Sequence, residues 1–169
     1  ARTIEKRRRH AGMLQLKMSE REVVMDESGR VVGVRPADTS YPHTIIEMFM
    51  VEANEAVAEL FAQLGVPHLR RIHPEPPSDA QAKLGAFLRV LGKPIPRHME
   101  RSDMIRLLDS VRGQPEAFAV HLAVLRSMAQ AEYSPAPIGH YALASRHYCH
   151  FTSPIRRYPD LIVHRLLQK

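Results

Sequence analysis

Between positions 42 and 64 apolar side chains return every three or four residues, at Ile45, Ile46, Phe49, Met50, Ala53, Val57, Leu60, Phe61 and Leu64. That spacing follows the helical turn and predicts one long amphipathic helix from Pro42 to Leu64 with a broad buried face. Gly65, followed by Val66 and Pro67, supplies its stop. Ahead of this helix the period drops to two. Leu14, Leu16 and Met18 share one face of Gly12 to Met18, Glu22 to Met25 follows, and Arg30 to Val34 comes after Asp26-Glu27-Ser28-Gly29. Three short strands joined as a hairpin or meander are predicted there.

Beyond the long helix, His73 to Ser78 is too rich in proline to be helical and connects elements within one domain. Asp79 to Leu91 reads as a helix capped by Ser78 and ended at Gly92, and Ser102 caps another that runs to Val111 and is broken at Gly113. A further helix is expected from Pro115 to Ala131, with Phe118, Leu122, Leu125 and Met128 or Ala129 facing inward. Tyr133 to His150, rich in Pro, Gly and aromatic residues, is assigned to loop with one or two short strands around His140 to Ala144. The chain ends in a helix from Pro159 to at least Leu167. Its apolar face stops without a cap, and Glu5 to His10 reads as the tail of a helix, so the chain is expected to be a fragment. The fold class is α+β, a mostly helical half-domain with a small antiparallel sheet near the N-terminus, taken as one unit over residues 1–169.

Composition narrows the class. Hydrophobic residues make up 44% and charged residues 25%, which suits a globular chain and excludes disorder. No stretch reaches the roughly 18 apolar residues of a membrane span, and no apolar segment follows the basic start as in a secretory signal. A cytoplasmic location is expected. The single cysteine, Cys149, has no partner for an internal disulfide. Net charge is +6, concentrated as +4 in residues 1–10 and +3 in residues 153–169. Such local excess suggests a polyanion, nucleic acid first, although basic runs also serve as solvated surface.

The C-terminal run carries the most specific chemistry. Thr152 or Ser153 suits the cap of a helical turn with Pro154 at its first position, which would leave backbone N–H groups aimed outward at an anion. Arg156 and Arg157 project from the same turn, and planar guanidinium forks match phosphate oxygens. Pro159 lacks an N–H, so Ser153 to Tyr158 is expected to be a separate turn ahead of the regular helix. Arg157 admits a second reading, an ion pair with Asp160, and Tyr158 could serve as core or as a hydrogen-bonding wall. His164 and Arg165 fit structural roles. Glu47, near the start of the long helix, is favoured there by the helix dipole alone. His140, His147, Cys149 and His150 match no standard zinc spacing, and no metal is assigned to them. Tyr133, Tyr141, Tyr148 and Phe151 are possible stacking platforms for bases, though most such rings are expected in the core.

Three segments in order, 44–61 (TIIEMFMVEANEAVAELF), 126–144 (RSMAQAEYSPAPIGHYALA) and 150–167 (HFTSPIRRYPDLIVHRLL), resemble the ribonuclease R, ribonuclease II and exosome-nuclease (RNB) family. With GMLQLKM and GVPHLRRIHPEPP also similar, the resemblance covers nearly the whole chain and points to the ribonuclease R branch. It implies the second half of the catalytic domain of a processive 3′-to-5′ exoribonuclease that acts on single-stranded RNA with Mg2+ and releases nucleoside 5′-monophosphates. It implies that Arg156 is the catalytic arginine near the scissile phosphate, with RNA contacts at Glu47, Ser153, Arg157 and Tyr158. Glu47 would orient the terminal ribose, whose 2′-hydroxyl separates RNA from DNA. Here the chain departs from the family pattern, with Met48 where a second Glu is common and Glu52 within a usually apolar pair.

Metal-assisted phosphodiester hydrolysis needs clustered carboxylates. Asp26-Glu27 is the only adjacent acidic pair in the chain. In the family the aspartate cluster lies upstream of this region, and OB-type barrels flank the domain. The isolated chain is therefore expected to be inactive and to need the remainder of its own catalytic domain. The alternative is a non-catalytic RNA-binding module that lacks the metal site.

Overall fold

The computed structural model describes every residue except 17, 19, 20, 38, 39, 94, 95, 97 and 98. Among these residues six helices and two small antiparallel sheets follow one another, the helix-dominated α+β arrangement expected from the sequence. Helix α1 spans Arg2–His10, and the hairpin β1 (Arg21–Met25) and β2 (Val31–Pro36) follows it. The hairpin keeps Val23 opposite Val34 and has an irregularity between Val24 and Met25. Its turn is closed by the Asp26 carboxylate, which accepts the N–H groups of Ser28 and Arg30 at 2.9 Å each.

Among the described residues the expected first strand does not form. Met13 to Leu16 lie in no strand; the Met13 amide donates to Arg8 at the end of α1, and that of Leu14 to the Ala142 carbonyl. Leu14 and Leu16 pack on a helical core, so their alternation reflects a segment laid across helices. Lys17 of that expected strand lies outside the described residues.

Helix α2 runs Tyr41–Gln63, close to the predicted bounds. Its buried stripe is narrower than predicted and differently placed: Met48, Val51, Asn54, Ala58 and Phe61 are covered. Ile46, Phe49, Leu60 and Leu64 form a second apolar stripe that faces solvent, each more than 40% exposed. Ala58 and Phe61 make one core with Cys149 and with Val163 of helix α6 (Tyr158–Leu167).

The other core joins three helices, α3 (Ser78–Val90), α4 (Arg101–Ser110) and α5 (Ala117–Ser127), through Leu84, Leu88, Met104, Leu107, Val120 and Val124. The caps differ from those predicted. Pro77 occupies the cap position of α3, and α4 begins at a reciprocal capping box between Glu100 and Asp103 in place of Ser102. Helix α5 is shorter than expected and turns Val120, His121, Val124 and Ser127 inward, leaving Phe118 54% and Leu125 44% exposed. Contact with α3 and α4, which periodicity cannot see, selects that face.

Strands β3 (Arg70–Ile72) and β4 (Glu132–Ser134) pair antiparallel, with Arg71 opposite Tyr133. The strands expected near His140 are single bridges from His140 to His73 and Ser145, followed by a 3-10 turn at Tyr141–Leu143. Gly139 permits this crossing: its φ is +77°, and a Cβ there would lie 2.7 Å from the Ser145 carbonyl oxygen. Among the described residues no helix is long and apolar enough to cross a membrane.

Candidate nucleic-acid interface

Pro154 to Arg156 form a separate turn ahead of α6, as the position of Pro159 predicts. Two buried side chains fix that turn. Asn54, in the covered stripe of α2, accepts the amides of Phe151 at 2.8 Å and Thr152 at 3.2 Å on Oδ1, and donates from Nδ2 to the Tyr148 hydroxyl at 3.0 Å. Asp160, fully buried in the first turn of α6, accepts the Ser153 amide at 2.8 Å and an Arg157 guanidinium N–H at 2.9 Å on the same oxygen. Behind the turn, His164 lies 2.9 Å from the Phe151 carbonyl and stacks on the Phe151 ring at 4.3 Å, the structural role foreseen for it.

These bonds correct one expectation. The amides of Phe151, Thr152 and Ser153 are taken by side chains, and those of Arg156 and Arg157 donate to the Ser153 carbonyl. They do not form an outward anion cradle; Ser153 opens the turn at Pro154 through its backbone carbonyl, and Arg157 holds the cap position of α6. What the turn presents is side-chain charge. Arg156 is exposed and has no hydrogen bond or ion pair of its guanidinium among the described residues. Arg157 adopts its ion-pair alternative with Asp160, half-covered at 23% side-chain exposure. Tyr158, at 69% exposure, is no core residue. Ser153 is half-buried at the base of the turn.

Glu47 is exposed on α2, seven residues and so about 10 Å along the axis before Asn54. It makes no hydrogen bond or ion pair with the turn; it borders an open cleft of about 710 Å³ shared with Thr44, Met48, Leu14 and Leu16.

The N-terminal basic run is not a free patch. Arg8 is buried and pairs with Glu52 and Glu55 of α2, Arg7 also pairs with Glu52, and Arg9 reaches Glu5 at 3.0 Å. Burial works to raise the Glu52 carboxyl, but the bonds from Arg7 and Arg8 outweigh it and hold the group below its ordinary range. Glu52, the departure noted within an apolar pair, is thus the anchor of α1.

A belt of imidazole and phenol rings lies beside the turn. His73 stacks on His140 at 5.0 Å, His140 meets Tyr148 edge-on at 5.2 Å, and Tyr148 meets His150 at 6.0 Å. Burial first, then neighbouring cations, push His140 down to about 3 and His150 down to about 4, so both are neutral near pH 7. Burial pushes the Cys149 thiol up to about 12, away from any thiolate chemistry. Among the described residues no group of three or more His, Cys, Asp or Glu is arranged to hold a metal ion.

Asn54 is the residue that sequence reasoning passed over. Its signal was a polar side chain at helical spacing between Val51 and Ala58; its partners lie more than 90 positions away and could not be guessed.

Known proteins share the sequence pattern and the fold of this chain. The model of the RNB domain matches residues 1–169. Ribonuclease R of Aquifex aeolicus is 41% identical over 170 residues, covering 99% of this chain and 24% of that protein. Ribonuclease R of Thermotoga maritima is 42% identical over 166 residues, covering 97% and 23%. Mycoplasma genitalium RNase R, solved in complex with ribose-methylated single-stranded RNA, superposes with a TM-score of 0.90 at 33% identity, over 97% of this chain and 26% of that one. The chain thus spans about a quarter of the length of the relatives it matches.

Proposed function

Since the chain belongs to the RNB domain family, we propose that it is the RNA-holding part of a 3′-to-5′ exoribonuclease that degrades single-stranded RNA processively to nucleoside 5′-monophosphates in the cytoplasm. The observation that carries this reading is Arg156: an exposed guanidinium without an internal counter-ion, on a turn made rigid by Asn54 and Asp160. Preorganised positive charge of this kind stabilises the charge that develops on a phosphate in its transition state. Arg156 is the catalytic arginine. Arg157, Ser153 and Tyr158 bound the same turn as RNA contacts, and Glu47 supplies a polar contact from α2.

Magnesium, which the family resemblance implies, finds no fitting donor set among the described residues, whose carboxylates are dispersed or engaged with arginines. The carboxylates belong to the remainder of the catalytic domain. That remainder also covers the apolar side chains turned to solvent, the stripe of α2 and both faces of the hairpin, where Val23, Met25, Val31, Val32 and Val34 are each more than half exposed. Contiguous apolar surface of this extent marks an interaction face.

The test is binding of a fluorescent single-stranded RNA by the chain, read as anisotropy across a salt series. Arg156→Ala should weaken binding and make the log–log salt slope shallower by about 0.7. Equal affinity and slope in that variant would remove Arg156 from the RNA contact. With magnesium added, the chain alone should leave the RNA intact on a denaturing gel, and cleavage by rigorously purified protein would overturn the assignment of the metal site elsewhere.

A further inference from the structure

Arg71 and Tyr133 face each other across the β3–β4 pair, and the Arg71 guanidinium carbon lies 4.8 Å from the centroid of the Tyr133 ring. Arg71 has no ion pair among the described residues. A guanidinium held over a ring keeps its charge and its N–H donors free for a phosphate. Tyr133 stays 38% exposed, so this small sheet displays a ring and a cation to solvent together.

The pair is tied to the Arg156 turn. The Tyr133 hydroxyl and His150 Nδ1 are 2.7 Å apart, with their rings edge-on at 5.5 Å. The Arg71 amide donates to the Tyr148 carbonyl at 3.0 Å, fixing β3 against the segment that enters the turn. From His150 the chain passes through three pinned amides, Phe151, Thr152 and Ser153, to reach Arg156. His150 feels Arg71, Arg156 and Arg157 together, and burial keeps it neutral. Asp160, a buried carboxylate, is engaged with Arg157. Arg71, over the Tyr133 ring, and Arg156, six residues beyond His150, are thus linked through that histidine, and neither has an ion pair among the described residues.

We propose that Arg71 and Tyr133 form a second contact for the same single-stranded RNA, the Tyr133 ring stacking a base and the Arg71 guanidinium neutralising the phosphate of a nucleotide beside the one held at Arg156. The proposal rests on the reading of Arg156 as a phosphate contact. Ring stacking tolerates any base, so the contact adds affinity without sequence preference.

Anisotropy with the same labelled RNA tests it, using Arg71→Gln, Tyr133→Leu and Tyr133→Phe beside Arg156→Ala, with circular dichroism to compare folding. Tyr133→Leu should weaken binding about fivefold or more, and Tyr133→Phe, which keeps the ring, less than about twofold. Arg71→Gln should make the salt slope shallower by about 0.7. Should Arg71→Gln and Tyr133→Leu bind like the unaltered chain while Arg156→Ala binds weakly, the second contact falls and the turn keeps its role. Should the unaltered chain give no RNA-dependent signal, or Arg156→Ala bind with unchanged affinity and slope, the reading of the turn falls and this proposal with it. A Phe variant as weak as the Leu variant would assign the effect to the His150 bond and overturn stacking. If Tyr133→Leu unfolds, photocrosslinking of 4-thiouridine RNA to the unaltered chain decides: adduct on Tyr133 supports the contact, and adduct confined to other residues overturns it.

Discussion

Asp160 and Arg157 differ in consequence from Arg156, although all three lie within five positions. Asp160 is fully buried and serves both the Ser153 amide and Arg157, while a nitrogen of Arg157 and the second Asp160 oxygen lie buried without a hydrogen-bond partner among the described residues. Breaking a buried pair leaves an uncompensated charge, and its cost is several times that of a surface pair. Asp160→Asn should therefore lower stability by about 3 kcal/mol in urea unfolding and loosen RNA binding through the turn. Arg156→Ala should leave the unfolding midpoint within about 0.5 kcal/mol of the unaltered chain while reducing RNA affinity. If Arg156→Ala destabilised as much as Asp160→Asn, its side chain would be structural. Asn54 belongs with Asp160: Asn54→Leu strips two amides and a phenol of their partner, and a loss of about 2–4 kcal/mol is expected. Whether Arg157 paired with its neighbour or stood free was undecided in the sequence, because both outcomes fit the same spacing.

Among elements, α1 shows how a charge run can mislead. Read alone, Arg7 to Arg9 offered a basic surface; docked on α2, Arg8 is the buried partner of Glu52 and Glu55. Arg8→Gln should cost about 2 kcal/mol, less than a fully buried pair because both glutamates are partly solvated. Arg7→Gln, at a side chain 64% exposed, should leave the RNA salt slope unchanged, and a shallower slope would return α1 to the RNA interface. The elements themselves were largely legible. The long helix, the hairpin at Asp26 to Gly29 and the C-terminal turn before Pro159 all follow from local period and backbone rules. Strand β3 was missed because three residues carry too little alternation to read, and it exists only where β4 returns to pair with it.

Over the whole molecule, buried and half-buried histidines couple folding to pH. His68, His73, His140, His147 and His150 are all lowered from 6.5, burial being the first cause for each. The unfolded chain then binds protons that the folded chain refuses, so stability is fully present above pH 6.5 and declines as pH falls toward about 4, where His150 titrates in the fold. The urea midpoint should drop between pH 6.5 and 4.5, above the range where glutamates contribute. His150→Gln should flatten part of that drop, and an unchanged pH profile in that variant would contradict the assignment. The sequence by itself determined the helical α+β class, the family resemblance, the long helix and the turn bearing Arg156, since each depends on residues a few positions apart. Only the tertiary structure decided which stripe of α2 is covered, which arginines keep a free charge and which side chain locks the turn. Those outcomes depend on what lies opposite in space, and Asn54 meets Phe151 only after the chain has folded back across nearly 100 residues.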